Sequence, residues 1–282
     1  MILIADSGSS KTDWALLHPV NGDVLPLTTK GLNPIVLPVD ALISIMSANE
    51  HLLECATDVS AVYFYGAGCT GDVSIGNMHA ALASIFKSAK IAVFSDMTGA
   101  VHAVADNKPC IVSILGTGAN SCLFNGKSIS GNDFSLGYVL GDEGSGTWFG
   151  KRLIRDHWYC WMPESIAAEF EKQYALTREE ILKQTYRSPA PNAWLASFAP
   201  FIVQHRQHEY MQEVIFEGLT DFFDAYINRF ENSNALPLHF IGSLSCALEP
   251  EIRNVAEENA LSCGKFIQSP ISGLIQFYQS SH

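Results

Sequence analysis

Short apolar runs separated by polar turns open the chain. Residues 1–5, 14–17 and 24–27 read as three strands, with a small polar turn over residues 6–13 and Asn21-Gly22-Asp23 as the second turn. Residues 39–54 carry helical spacing, with Leu42, Ile43 and Met46 on one face. From residue 61 strands and helices alternate. Residues 61–65 form a buried strand closed by Gly66-Ala67-Gly68, and residues 74–88 a helix with Met78, Leu82 and Phe86 inward. A further strand ends at Asp96, and a helix is expected over residues 98–105. That alternation predicts an α/β fold: a largely parallel sheet with helices on its faces.

The theme then repeats. Residues 110–115, 120–124 and 127–130 read as strands, joined by the tight turn Gly116-Thr117-Gly118 and by Asn125-Gly126. This is the layout of residues 1–29, so two halves related by duplication are expected, on topology because the residues hardly match. Asn107-Lys108-Pro109 is the expected boundary, giving domains 1–106 and 107–282. The second domain holds a mostly helical insertion over residues 156–235. There Ile215, Leu219, Phe222, Phe223, Tyr226, Ile227 and Phe230 recur at core spacing, while His205 and His208 are expected to be solvated. Residues 237–241 form a strand, Gly242-Ser243-Leu244-Ser245 leads into a helix to residue 260, and residues 266–269 read as the last strand. A terminal helix over residues 271–278 is free to pack back on the first domain.

Composition narrows the function classes. The chain has 282 residues, 48% hydrophobic and 16% charged, enough for a substantial core. Its net charge of −12 argues against affinity for nucleic acid or an anionic membrane, both of which need clustered cations. Seven widely spaced Cys residues read as reduced thiols, and with a strand at the N-terminus the expected location is cytoplasmic.

Candidate chemistry gathers at strand ends. Gly116-Thr117-Gly118 ends a buried strand, and successive backbone N–H groups in such a turn can cradle an anion. Asp96 ends the neighbouring kind of strand and is either an acid/base residue or a helix cap. Asp6, with Ser7, Ser9, Ser10, Lys11 and Thr12 behind it, is either a phosphate loop or an ordinary hairpin. Asn33 precedes a proline in a turn, and Asp142, Glu143 and Ser145 fit helix capping. Five glycines between residues 137 and 150 exceed what a cap needs and imply close backbone approach.

Together these stretches resemble the sugar-kinase, Hsp70 and actin fold, and more narrowly the BadF/BadG-type ATPase family with its N-acetylglucosamine kinase branch. Residues 6–12 resemble the first phosphate motif D-G-G-x-T-K-T, and residues 115–120 resemble the second, L-G-T-G-S-N. Residues 136–146, L-G-Y-V-L-G-D-E-G-S-G, are similar to the stretch G-W-G-x-L-L-G-D-E-G-S-G, the most specific match. Ser7 and Ser9 replace glycines, Ser10 stands for Thr, Leu136 for Trp, and Ser243 for a glycine of the adenosine motif.

The resemblance implies two duplicated actin-like (ribonuclease H-like) domains closing over ATP and sugar. It implies Asp96 as general base, Asp6 as the Mg²⁺ residue, and Ser9, Ser10, Lys11, Thr12, Thr117, Gly118, Gly242 and Ser243 as ATP contacts. Asn33, Thr117, Asn120, Gly137 and Asp142 would hold the sugar. The implied reaction is phosphorylation of an amino-sugar hydroxyl, N-acetylglucosamine first, in a homodimer. Alternatives are a kinase for glucosamine or N-acetylmuramic acid, or an ATPase coupled to a protein partner, although the iron–sulfur cysteine pair of that branch is missing. A sugar-binding regulator would need an appended DNA-binding domain, for which residue 2 as the first strand position leaves no room at the N-terminus.

Overall fold

The computed structural model describes every residue except 9–10, 19–21, 132 and 281–282. The chain divides into two compact units, Met1–Asn107 with Ser269–His282, and Lys108–Gln268.

In the first unit, β1 (Ile2–Ser7), β2 (Lys11–Leu17) and β3 (Val24–Lys30) form an antiparallel meander. Then come α1 (Val39–Ser47), α2 (Glu50–Glu54), β4 (Ala61–Gly66), α3 (Asp72–Ile85), β5 (Lys90–Ser95) and α4 (Asp96–Val104). The sheet order is β3-β2-β1-β4-β5, with β1, β4 and β5 parallel. Alternation along β1 sorts its two faces. Leu3 and Ala5 join the core beneath α1 and α3, whereas Ile2 and Ile4 pack on the opposite face with Leu274 and Tyr278. The helix expected over residues 39–54 is two helices. Asn49 takes an extended backbone and its side chain accepts from Leu52 N–H, starting α2 afresh.

The second unit repeats the plan. β6 (Cys110–Leu115), β7 (Ala119–Phe124) and β8 (Ile129–Ser130) form the meander. Helices α5 (Gly137–Leu140), α6 (Gly146–Trp158), α7 (Glu164–Tyr174), α8 (Arg178–Arg187), α9 (Pro191–Ala196), α10 (Ala199–Gln204) and α11 (Glu209–Phe222) follow, the last continuing as a π-helical turn over Phe223–Ile227. β9 (Pro237–Ile241), α12 (Ser243–Ala247), α13 (Glu249–Glu258) and β10 (Ser262–Ile267) complete it. The order β10-β9-β6-β7-β8 matches the first sheet strand for strand. The duplication is therefore present in the connectivity.

The stripe from Ile215 to Phe230 is buried throughout and forms the centre of this unit's core. Each such apolar side chain taken from water contributes about 1.5–3 kcal/mol. The helix expected to reach residue 260 breaks at Leu248, ahead of Pro250 at the start of α13. The last strand lies earlier than residues 266–269, because pairing with β9 begins at Ser262. His205 is not solvated as expected. Its ring packs 4.2 Å from that of Phe201, and its buried Nε2 has no hydrogen-bond partner among the described residues.

The terminal helix α14 (Ile271–Ser280) belongs to the first unit rather than to a continuous domain 107–282. It packs on α4, β1 and β2. The Tyr278 hydroxyl meets the Tyr65 hydroxyl at 2.7 Å, which in turn meets His102 Nδ1 at 2.9 Å. Among the described residues, no helix is long and apolar enough to cross a membrane.

Candidate active site

In the first unit, carboxylates stand at the C-terminal ends of parallel β1 and β5: Asp6 is the penultimate residue of β1, and Asp96 directly follows β5. Asp6 lies on β1 opposite Asp13 of β2, and Ser269 donates to its Oδ2 at 3.0 Å. Burial, then the charges of Asp13 and Asp96, raise its pKa from 3.8 to about 6, against the lowering effects of Ser269 and Lys11. Asp96 is the first residue of α4, yet it is not the cap. Ser95 caps that helix by accepting from Thr98 N–H at 3.2 Å, while Asp96 Oδ1 accepts from Met97 N–H at 2.8 Å. Burial raises the Asp96 pKa as well. Beside it, Cys69 is buried, and burial followed by the Asp96 charge pushes its thiol up to about 12, which makes it inert at neutral pH.

The linkage of Asp6 has a definite sign. Below 3.8 the carboxyl is protonated in folded and unfolded chains alike, so it costs nothing. As pH rises through about 6 the folded state must carry a charge that burial disfavours, and stability is lost. Asp6→Asn is therefore expected to raise Tm near pH 8 in metal-free buffer and to change it little near pH 4. Equal changes at both pH values, in calorimetric scans, would show that the carboxylate is not strained.

The first loop divides its labour. Gly8 N–H donates to the Lys11 carbonyl at 2.9 Å, and exposed Lys11 reaches Asp13 Oδ2 at 2.8 Å. Ser9 and Ser10 lie outside the described residues. Thr12 is fully buried. Its hydroxyl lies 2.7 Å from Ser7 Oγ and donates to the Lys30 carbonyl at 3.2 Å, while Ser7 Oγ accepts from Leu32 N–H. The pair thus pins β1 to β2 and to the strand end at residue 30, and the motif hydroxyl faces protein. Thr12→Val is expected to cost about 1–3 kcal/mol in urea unfolding, the price of orphaning buried partners. A rise in the KM for ATP with no loss of stability would place the hydroxyl on a ligand instead.

Asn33 Oδ1 accepts from Ile35 N–H at 3.0 Å, an Asx turn ahead of α1, and its side chain packs against Gly68 of the β4–α3 loop. Any Cβ at Gly68 would collide with that amide. The Asn33 Nδ2 makes no protein hydrogen bond among the described residues and remains available to a ligand.

In the second unit the Gly116-Thr117-Gly118 turn is held from behind. Gly146 N–H donates to the Gly116 carbonyl at 2.8 Å and Thr147 N–H to the Thr117 carbonyl at 3.0 Å. The N–H groups of Thr117 and Gly118 have no partner among the described residues, and Thr117 is exposed. A cavity of about 480 Å³ within this unit is lined by Gly116, Thr117, Gly146, Ser243 and Ala247, among others. Gly242 sits at φ +134° with the Leu115 carbonyl so near that any Cβ would strike it. The predicted phosphate turn and the start of the predicted adenosine motif thus share one cavity.

Asp142 is buried, with φ +62°, and folds back on the same turn. Its Oδ1 accepts from Ala119 N–H at 3.2 Å and from the Ser135 hydroxyl at 3.3 Å, and its N–H donates to the Tyr226 hydroxyl at 3.0 Å. Its pKa is raised, chiefly by burial. Gly118 faces the carboxylate so closely that a Cβ there would lie 2.8 Å from Oδ2. Asn120 lies on β7, where its Oδ1 accepts from Ser121 N–H at 2.9 Å. Gly137, at φ +71°, faces open space. The glycine excess around it mostly serves protein packing: Gly144 abuts the Gly218 carbonyl, Gly146 abuts Ala196, and Gly150 abuts the Leu195 backbone. Sequence reasoning missed Ser269 and Tyr226, the partners of Asp6 and Asp142, since both come from distant segments with no motif.

No family model matches the chain, and no curated protein matches it. Solved structures do. One from Porphyromonas gingivalis, provisionally named an N-acetylglucosamine kinase, is 38% identical with a TM-score of 0.94, covering 100% of both chains. A Chromobacterium violaceum protein of the same provisional name is 16% identical with a TM-score of 0.70, covering 98% of each chain. A ROK-family glucokinase from Streptomyces griseus, in complex with glucose and AMPPNP, is 15% identical with a TM-score of 0.58, covering 98% of this chain and 97% of that one. The last two similarities concern the fold alone, a two-domain actin-like sugar-kinase fold.

Proposed function

The chain belongs to the same sugar-kinase family as the Porphyromonas gingivalis protein, and on that premise we propose that it transfers the γ-phosphate of ATP to a hydroxyl of an amino sugar, N-acetylglucosamine first. Within that family we read it as a member of the N-acetylglucosamine kinase branch of the BadF/BadG-type ATPases, a reading supported by the similarity of residues 136–146 to that branch's motif. The observation that carries the reading is Asp96, a partly buried carboxylate at a strand end, relieved of the capping role by Ser95 and close enough to Asp6 to raise its pKa.

The residues fit the groups this reaction needs. Asp6 offers a hard oxygen donor, and Mg²⁺ is commonly held by one or two carboxylates with the remaining positions left to water and phosphate. The unpartnered N–H groups at Thr117 and Gly118, and the cavity reaching Ser243, suit a polyphosphate and its nucleoside. MgATP, when bound, supplies the phosphoryl group and neutralises part of its charge.

The chain's own part is alignment and proton transfer. Asp96 accepts the proton of the attacking hydroxyl, and its raised pKa leaves it a better base than an exposed aspartate. Lys11 adds positive charge on the first unit, with Thr117 and Gly118 cradling phosphate on the second. Asn33 offers its Nδ2 to the sugar, and Asp142 offers Oδ2, the oxygen not already engaged with Ala119 and Ser135. Asn120 and Gly137 complete the proposed sugar contacts.

The test is a coupled ADP-release assay with Mg²⁺ and a panel of hexoses and amino sugars. One amino sugar is expected to stimulate ADP release strongly above the sugar-free rate. Turnover of ATP indifferent to every sugar would favour the partner-coupled ATPase instead.

A further inference from the structure

We infer that the second unit carries a second small-molecule site, a cleft between α5, α6 and α8 that takes a ring-bearing organic anion. The cleft has a volume of about 560 Å³, within the range of pockets that hold drug-sized ligands. It shares no lining residue with the cavity at Thr117 and Ser243.

Its walls are unusual for this protein in two ways. The first is aromatic exposure. Trp158, Tyr159 and Tyr186 line it at 42%, 58% and 78% exposure. Helix α8 buries none of its residues, so Leu182 and Tyr186, spaced i and i+4, present an apolar stripe to the cleft rather than to a core. Exposed rings of this kind stack on a flat ligand ring.

The second is charge. The chain carries a net charge of −12, yet the lining holds Lys151, Arg155 and Arg178 and no acidic residue. These cations are poorly neutralised. Lys151 Nζ donates to the Tyr138 carbonyl at 2.6 Å; the charges of Asp142 and Glu143 act on it, but among the described residues no carboxylate lies within salt-bridge range. Arg155 has one ion-pair contact among the described residues, at 3.4 Å to Asp156, an aspartate already held by Arg152, and its guanidinium lies 5.8 Å from the centroid of the Trp161 ring. Arg178 forms no ion pair among the described residues. A carboxylate, sulfonate or phosphate on a stacked ring would meet these cations within the cleft. Tyr138 and Val139, which form one wall, precede Asp142 by four and three residues, so an occupant would contact the segment that presents that carboxylate.

The test uses 8-anilinonaphthalene-1-sulfonate as the probe, titrated into the full chain and followed by fluorescence transfer from tryptophan, with N-phenyl-1-naphthylamine as the same ring system without charge. One anionic probe is expected to bind per chain, at least tenfold more tightly than the neutral one and without displacement by MgATP. Arg178→Glu, at an exposed position, and Thr185→Trp, which fills the cleft, are each expected to weaken it at least tenfold with unchanged circular dichroism. Equal binding of the neutral probe, displacement by MgATP, or indifference to both substitutions would overturn the inference. So would absence of probe binding in a chain that elutes as a dimer, which would assign the face to a second copy.

Discussion

Asp96→Asn is expected to lower kcat by about 10²–10⁴-fold, the usual contribution of a positioned general base. The substitution is unusually clean. An asparagine Oδ1 can still accept from Met97 N–H, and the cap of α4 is Ser95, so the helix keeps both of its N-terminal hydrogen bonds. Removing a carboxylate whose charged form is disfavoured by burial is also not expected to cost stability. The KM values for ATP and sugar should therefore change only a few-fold while turnover collapses. Full activity in Asp96→Asn, with an unchanged melting temperature, would remove the base from the mechanism.

Gly242→Ala is expected to cost about 3 kcal/mol of stability and to raise the KM for ATP more than tenfold. Two penalties combine. At φ +134° the backbone lies where L-residues pay strain, and the new Cβ would strike the Leu115 carbonyl with the Gly116 N–H just behind it. The obstruction is backbone on both counts, so no rotamer change relieves it. Relief requires β6 or α12 to move, and the end of β6 carries the Gly116-Thr117-Gly118 turn. Differential scanning fluorimetry should show a Tm lower by several degrees, and nucleotide titration a weaker complex. A variant that loses stability but binds ATP normally would detach the turn from the nucleotide.

Much of this was legible in the chain. Alternation and β-branched runs marked the strands, and the strand–turn–strand unit recurring at residue 110 announced two matching sheets. Asp96 and Gly116-Thr117-Gly118 stood out because strand ends carry turns, and turns carry chemistry. What escaped falls into two physical classes. One is long-range hydrogen bonding: Ser269 to Asp6 spans 263 residues, and Tyr226 to Asp142 spans 84. The other is local competition for the backbone. Asn49 and Leu248–Pro250 interrupt helical periodicity that the apolar spacing alone would have continued. Thr12 shows the limit of motif reading, since its hydroxyl is consumed by Ser7 and the Lys30 carbonyl. The glycines after residue 141 show it again, for they make room mainly for α9 and α11.

At the centre of the proposed reaction, the γ-phosphate leaves ATP for a sugar hydroxyl. Phosphorus-31 NMR of the full chain incubated with MgATP and N-acetylglucosamine tests it most directly. A new phosphomonoester resonance, growing in step with ADP and coupled to sugar protons, is the predicted result. ADP accompanied only by inorganic phosphate, at a rate unchanged when the sugar is omitted, would contradict it.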